Sequence, residues 1–122
     1  MDETGDGTPE AGPPDQPEDT TAGDEARLAH FIRMLSDDNE GSRWKAAEVL
    51  GRIGDPRAVD DLIGALWDDD ERVRLKAAWA LGRIGDMRAY APLQRLYRME
   101  RDRTQEIILE ALESIRRNAA GN

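Results

Sequence analysis

Apolar residues recur along this chain at helical spacing. Val73, Ala77, Ala80, Leu81 and Ile84 follow one another at intervals of 4, 3, 1 and 3, which places them on one face of a helix. Val59, Leu62, Ile63 and Leu66 also share one face. No stretch alternates with a period of two for long enough to make a strand. The pattern predicts an all-α chain with helices over 25–35, 40–53, 57–67, 71–84, 88–99 and 104–117.

The pattern also repeats. Arg43–Val59 (RWKAAEVLGRIGDPRAV) aligns with Arg74–Tyr90 (RLKAAWALGRIGDMRAY) at an offset of 31, and 12 of 17 positions are identical. A further step of 31 carries Ala80, Leu81 and Ile84 onto Ala111, Leu112 and Ile115. One step back carries Leu62, Ile63 and Leu66 onto Phe31, Ile32 and Leu35. The unit is therefore present about three times, and a fixed period in this range is the mark of a solenoid. The repeated hexamer LGRIGD reads as a helix stop followed by a helix start. Leu50/Leu81 and Ile53/Ile84 are core positions. Gly54 and Gly85 are placed to end a helix in the left-handed conformation. Asp55 and Asp86 then cap the next helix by accepting backbone N–H bonds, and Pro56 follows at a first helical position. Gly51 and Gly82 lie inside helices, where glycine costs about 1 kcal/mol against alanine; a repeated cost points to a neighbouring backbone in close approach. Asp37-x-x-Glu40 and Asp68-x-x-Glu71 read as capping boxes.

These residues resemble the short HEAT-like repeats of phycobilisome lyases and of many bacterial and archaeal proteins. Val73-Arg74, Ala77-Ala78, Ala80-Leu81-Gly82, Ile84-Gly85-Asp86 and Ala89 carry the resemblance. In the preceding copy it rests on Ala46-Ala47, Leu50-Gly51, Ile53-Gly54-Asp55, Ala58-Val59 and Leu62. It covers residues 27–117. The resemblance implies a right-handed α-solenoid of about three antiparallel helix pairs, six helices in all. It also implies that the second helix of each pair lines a concave face and the first a convex one, and that the usual work is binding other proteins. With 40–53 and 71–84 taken as first helices, they fall on the convex side.

Composition divides the chain. Residues 1–24 hold eight acids, no base and four of the six prolines. Such a segment buries too little surface to offset its ordering entropy, so it is expected to be a disordered acidic tail ahead of a repeat domain at 25–122. The tail has neither the basic and apolar regions of a signal peptide nor the arginines of a transit peptide. It carries most of the net charge of −9, since residues 25–122 hold 18 acids against 17 bases. A nearly neutral folded part argues against tight nucleic-acid binding. There is no cysteine, so no disulfide or thiolate metal site. No apolar run nears the ~18 residues of a membrane span; the chain reads as cytoplasmic, with no membrane contact. Its 15 arginines against two lysines fit a halophile's high-salt cytoplasm or a GC-rich genome equally well.

Catalytic groups are missing from the pattern. His30 is the sole histidine and has no glutamate beside it, unlike the repeated His-Glu pairs of HEAT-fold di-iron hydroxylases. Ser36, Ser42 and Ser114 have no base at a recognisable spacing. The acidic run at 68–71 lacks the glycine and terminal glutamate of a calcium loop. No catalytic residue, metal or cofactor is expected, and the chain does not read as an enzyme.

Two surfaces are candidates for a partner. On the second helices, His30, Arg33, Asp61, Gly64, Arg95 and Arg98 line up as a concave strip suited to an acidic or extended peptide. On the first helices, Leu75 and Trp79 point away from the core, and Trp44 is the counterpart of Leu75 one repeat earlier. Their other counterparts are Glu48, Glu106 and Glu110, residues of exposed positions. Trp44, Leu75 and Trp79 are thus expected to form an exposed convex patch. Trp67, at a helix end, reads as half-buried packing. The last helix is apolar over a wide arc, with Ile107 and Leu109 where Lys76 and Ala78 stand one repeat earlier; it caps the open end or docks a second copy. Taken together, the sequence points to a non-catalytic module or scaffold for an unidentified protein partner. The alternatives are an accessory subunit of a lyase-like or modification complex, and weak nucleic-acid binding through arginines.

Overall fold

The computed structural model describes residues 17–121, with side chains from residue 22 onward. Six helices follow one another: α1 (Pro17–Met34), α2 (Glu40–Ile53), α3 (Val59–Ala65), α4 (Glu71–Ile84), α5 (Tyr90–Met99) and α6 (Asp102–Gly121). Short 3-10 turns, Pro56–Ala58 and Met87–Ala89, lead into α3 and α5. Among the described residues there is no strand, and no helix is long and apolar enough to cross a membrane. The bounds of α2 and α4 are those the apolar spacing predicts. Of the expected tail, residues 1–16 lie outside the described residues, and 17–24 belong to α1. Pro17, Glu18 and Asp19 are residue types that suit a first helical turn. At the other end α6 runs on to Gly121, because Arg116 stands one repeat beyond Gly85, where a stop would be.

The repeated stops work as their chemistry requires. Gly54 and Gly85 sit at φ 74 and 76, and each donates its N–H back to Leu50 O or Leu81 O at 3.0 Å. Asp55 and Asp86 accept from the N–H of Arg57 and Arg88, both at 2.8 Å. The other turn corrects the sequence reading. Asn39 and Asp70, not Asp37 and Asp68, cap α2 and α4, accepting from Ser42 N and Arg72 N. Asp37 and Asp68 instead accept the N–H of Asn39 and Asp70 at 3.0 and 2.9 Å, an Asx turn that precedes each cap.

The helices pair as α1 with α2, α3 with α4 and α5 with α6. Leu50, Leu62, Leu66, Leu81, Leu93 and Leu96, with Ile108 and Ile115, are fully enclosed between the two layers this makes. Burying each such side chain stabilises the fold by roughly 1.5–3 kcal/mol before entropy is counted. Within one layer α2, α4 and α6 pack directly on one another, whereas in the other layer α3 and α5 meet chiefly through the 3-10 turn Met87–Ala89. A stack whose repeats approach more closely in one layer than in the other bends toward the closer layer, which makes α2, α4 and α6 the inner side. Its intimacy comes from the two helical glycines. A Cβ on Gly51 would lie 2.9 Å from Ala80 Cβ, and one on Gly82 would lie 2.8 Å from Ala111 Cα. This corrects the expected faces. Because pairing starts at α1, the helices carrying LGRIGD are second helices and line the concave side, while α1, α3 and α5 lie on the convex side.

Polar bonds repeat with the helices. Arg43 Nε donates to Asp68 at 2.7 Å, and its Nη1 donates to the carbonyls of Asp37 and Asp38. Arg74, one repeat on, donates to Glu100 at 2.9 Å and to the carbonyls of Asp68 and Asp69. Each arginine therefore ties its own turn to the turn of the following repeat. Arg83 Nε and Ser114 Oγ, also equivalent, donate to the carbonyls of Gly51 and Gly82 at 3.4 and 2.9 Å.

The capping aspartates make the fold sensitive to acid. Side-chain bonds from Arg57 and Arg88 hold the Asp55 and Asp86 carboxyls below the usual value, and Arg72 holds Asp70 at about 2. A carboxylate with a depressed folded pKa contributes stability that is full above its unfolded value, near 3.9, and is lost as pH falls through the folded one. The melting temperature is therefore expected to fall between about pH 4 and pH 2, and Asp70→Asn to flatten that fall. Thermal unfolding followed by circular dichroism across this range measures both; equal slopes for the two proteins would refute the role given to Asp70.

Candidate functional site

The inner face carries a cluster of partly covered apolar and aromatic side chains. Trp44 projects from α2, Leu75 and Trp79 from α4, and Ile107 from α6, all half-buried. They line a groove of about 270 Å³ together with Arg72, Lys76 and Glu110. A second hollow, about 410 Å³, adjoins it through the shared residues Trp79, Ile107 and Glu110 and extends along α6 to Arg117. The notch left by Gly51 receives the Trp79 ring, since a Cβ there would lie 2.6 Å from Trp79 Cζ3. Two cations cover the aromatic floor. Lys76 Nζ stands 5.0 Å from the Trp44 ring centre and 4.6 Å from that of Trp79, and Arg83 lies 5.5 Å over Trp79. Such contacts are worth about 0.5–1 kcal/mol where water reaches them.

Trp44, Leu75 and Trp79 thus come together as the spacing implies, but on the concave side and half-buried rather than exposed. The helical wheel assigns α4 a single core direction. In the stack α4 packs against α3 behind and against α2 and α6 on either flank, so little of its surface points straight to water. Ile107 and Lys76 complete the groove and Arg83 lines the adjoining hollow; none of the three was expected there. A signal for Ile107 existed in its replacement of a lysine at the equivalent position. Nothing in the spacing placed Lys76 across two rings of different repeats.

The residues of the other strip lie on the opposite layer. His30 and Arg33 on α1, Asp61 and Gly64 on α3, and Arg95 and Arg98 on α5 are all exposed, on the convex layer. None of the six lines either hollow. Trp67, expected to be half-buried, is 41% exposed with Arg95 5.9 Å above its ring. The apolar arc of α6 divides between neighbours: Ile108, Leu112 and Ile115 enter the core, Ile107 enters the groove, and Leu109 is exposed. Gly54, Asp55, Gly85 and Asp86 act within their turns. Among the described residues no three His, Asp or Glu side chains converge as a metal ion would need.

With this geometry the comparisons agree. A family model described as HEAT repeats matches residues 28–113. Among solved structures the chain is similar to the complex of CpcE and CpcF of phycocyanin lyase from Nostoc sp. PCC7120, with 28% identity and a TM-score of 0.68. That match covers 75% of this chain and 41% of the other, so this chain spans less than half the length of its relative. No curated protein matches it. The paired helices, the 31-residue period and the family match lead to one assignment: the chain belongs to the HEAT-repeat family.

Proposed function

We propose that this chain is a non-catalytic protein-binding module that holds its partner in the concave groove. One observation carries the reading: two tryptophans, a leucine and an isoleucine from three successive repeats line adjoining hollows on the inner face. Aromatic side chains in partly covered hollows are the commonest anchors of protein interfaces. The groove lies across the repeats, so that one partner segment touches all three inner helices at once.

A second reading has its own support. The likeness to a complex of two phycocyanin lyase subunits favours service as an accessory subunit of a lyase-like assembly, in which the same groove would meet the neighbouring chain. Fold likeness alone does not carry chemistry from one protein to another, so the binding reading is the broader and the first.

The two are tested together by affinity capture from the native host with the wild-type chain, Trp79→Glu and Leu75→Glu. Glutamate occupies the equivalent positions 48, 106 and 110, so both variants keep a residue type these helices already accommodate. Loss of a partner by about tenfold or more, in variants whose melting is preserved, is the expected result. Unchanged capture by both variants would remove the concave groove from the reading. A captured catalytic lyase chain would favour the accessory role.

A further inference from the structure

The basic groups of this fold divide into two sets. Arg43, Arg52, Arg57, Arg72, Arg74 and Arg88 each hold a carboxylate within 4 Å. The other eleven do not, among the described residues, and of these Lys76, Arg83 and Arg117 are the ones that line the two hollows. Lys76 and Arg83 rest instead on the faces of Trp44 and Trp79. A ring face is a weak substitute for a carboxylate, and a paired anion gains most at a concave, partly covered surface; Arg83 is the more exposed of the two cations. Lys76 is half-buried, at the junction of α2 and α4.

We propose that the α2–α4 side of the groove binds an extended acidic segment of the partner protein, its carboxylates pairing with Lys76 and Arg83 and an apolar side chain resting among Trp44, Leu75 and Trp79. This names the chemistry of the partner and rests on the protein-binding reading above. Glu110 and Glu113, on α6, bound the hollows on the opposite side. They repel carboxylates there, so the acidic residues of the segment lie toward α4. The same two glutamates disfavour nucleic acid, whose phosphates run on without a break and demand a broadly basic face. Two adjoining hollows of about 270 and 410 Å³ hold a few side chains of a single extended strand.

The test is fluorescence anisotropy on the full chain with a labelled peptide of alternating glutamate and proline around one central leucine. The controls are the same peptide with glutamine for glutamate and a single-stranded DNA of equal charge. The acidic peptide is expected to bind at least about tenfold more tightly than the glutamine peptide, and to weaken as salt rises. Lys76→Gln and Arg83→Gln are each expected to weaken it severalfold and the double variant by about tenfold, whereas Glu110→Gln tightens it. Circular dichroism confirms that each variant is folded. Equal affinity for the two peptides, indifference to the Arg83 change, or tighter binding of DNA than of the acidic peptide would each overturn the proposal. If Trp79→Glu still abolishes capture of the natural partner while the acidic peptide fails to bind, the groove remains the binding face and only its acidic preference falls.

Discussion

Gly82→Leu is expected to destabilise the fold by about 3 kcal/mol, the upper end of what overpacking costs. The reason is local and severe. Gly82 faces the α6 backbone, and even the first carbon of a side chain would sit 2.8 Å from Ala111 Cα and 2.9 Å from Ala111 Cβ. A flexible side chain can move aside, but a helix backbone moves only with its whole helix. Leucine must therefore push α6 off α4, opening Ile108 and Ile115, both fully buried, to water. Gly64→Ala is the matched control. It too is helical, yet nothing lies within 4 Å of the added carbon. That change should leave stability unaltered or raise it by up to about 1 kcal/mol, since alanine is the better helix former. Thermal melting of the two variants decides the matter. A Gly82→Leu protein that melts with the wild type would mean that the α4–α6 contact does not hold the last repeat in place.

Arg74→Ala is expected to cost about 2 kcal/mol, because it strands polar groups that water reaches poorly. The side chains of Arg74 and Glu100 are 21% and 14% exposed and lie 2.9 Å apart. The same guanidinium also satisfies the carbonyls of Asp68 and Asp69 at 2.8 and 3.2 Å. Alanine leaves a covered carboxylate and two carbonyls without this donor. Adding Glu100→Ala should return part of the loss, and the cycle of single and double variants isolates the pair itself. Arg57→Ala gives the contrast. Its link to Asp55 is 60% exposed on the arginine side, and pairs of that kind are worth about 0–1 kcal/mol. Equal costs for Arg57 and Arg74 in urea unfolding would refute the view that Arg74 ties the third repeat to the second.

Much of this architecture is legible from residue identity. The stops at Gly54 and Gly85 and the caps at Asp55 and Asp86 were readable because each is satisfied within a few residues of itself. The close approach at Gly51 and Gly82 was readable because a repeated glycine inside a helix is an unfavourable choice unless something stands beside it. The true caps of α2 and α4 were harder. Asp37, Asn39, Asp68 and Asp70 all suit a turn, and only the observed bonds divide the Asx role from the cap. The Arg43 and Arg74 ties were hidden because their partners lie 25 and 26 residues away.

The candidate site followed the same division. That Trp44, Leu75 and Trp79 belong together was written in the repeat, since equivalent positions of successive units must lie side by side. That they form the floor of a groove, with Ile107 as one wall and Lys76 across two rings, depends on contacts among three helices. By itself the sequence determined the helices, their period and the stops at Gly54 and Gly85, all of which rest on interactions inside one turn or one repeat. Only the tertiary structure decided which layer is concave. That choice turns on which helix each one pairs with and how closely their backbones approach, and these distances arise only when separate repeats stack.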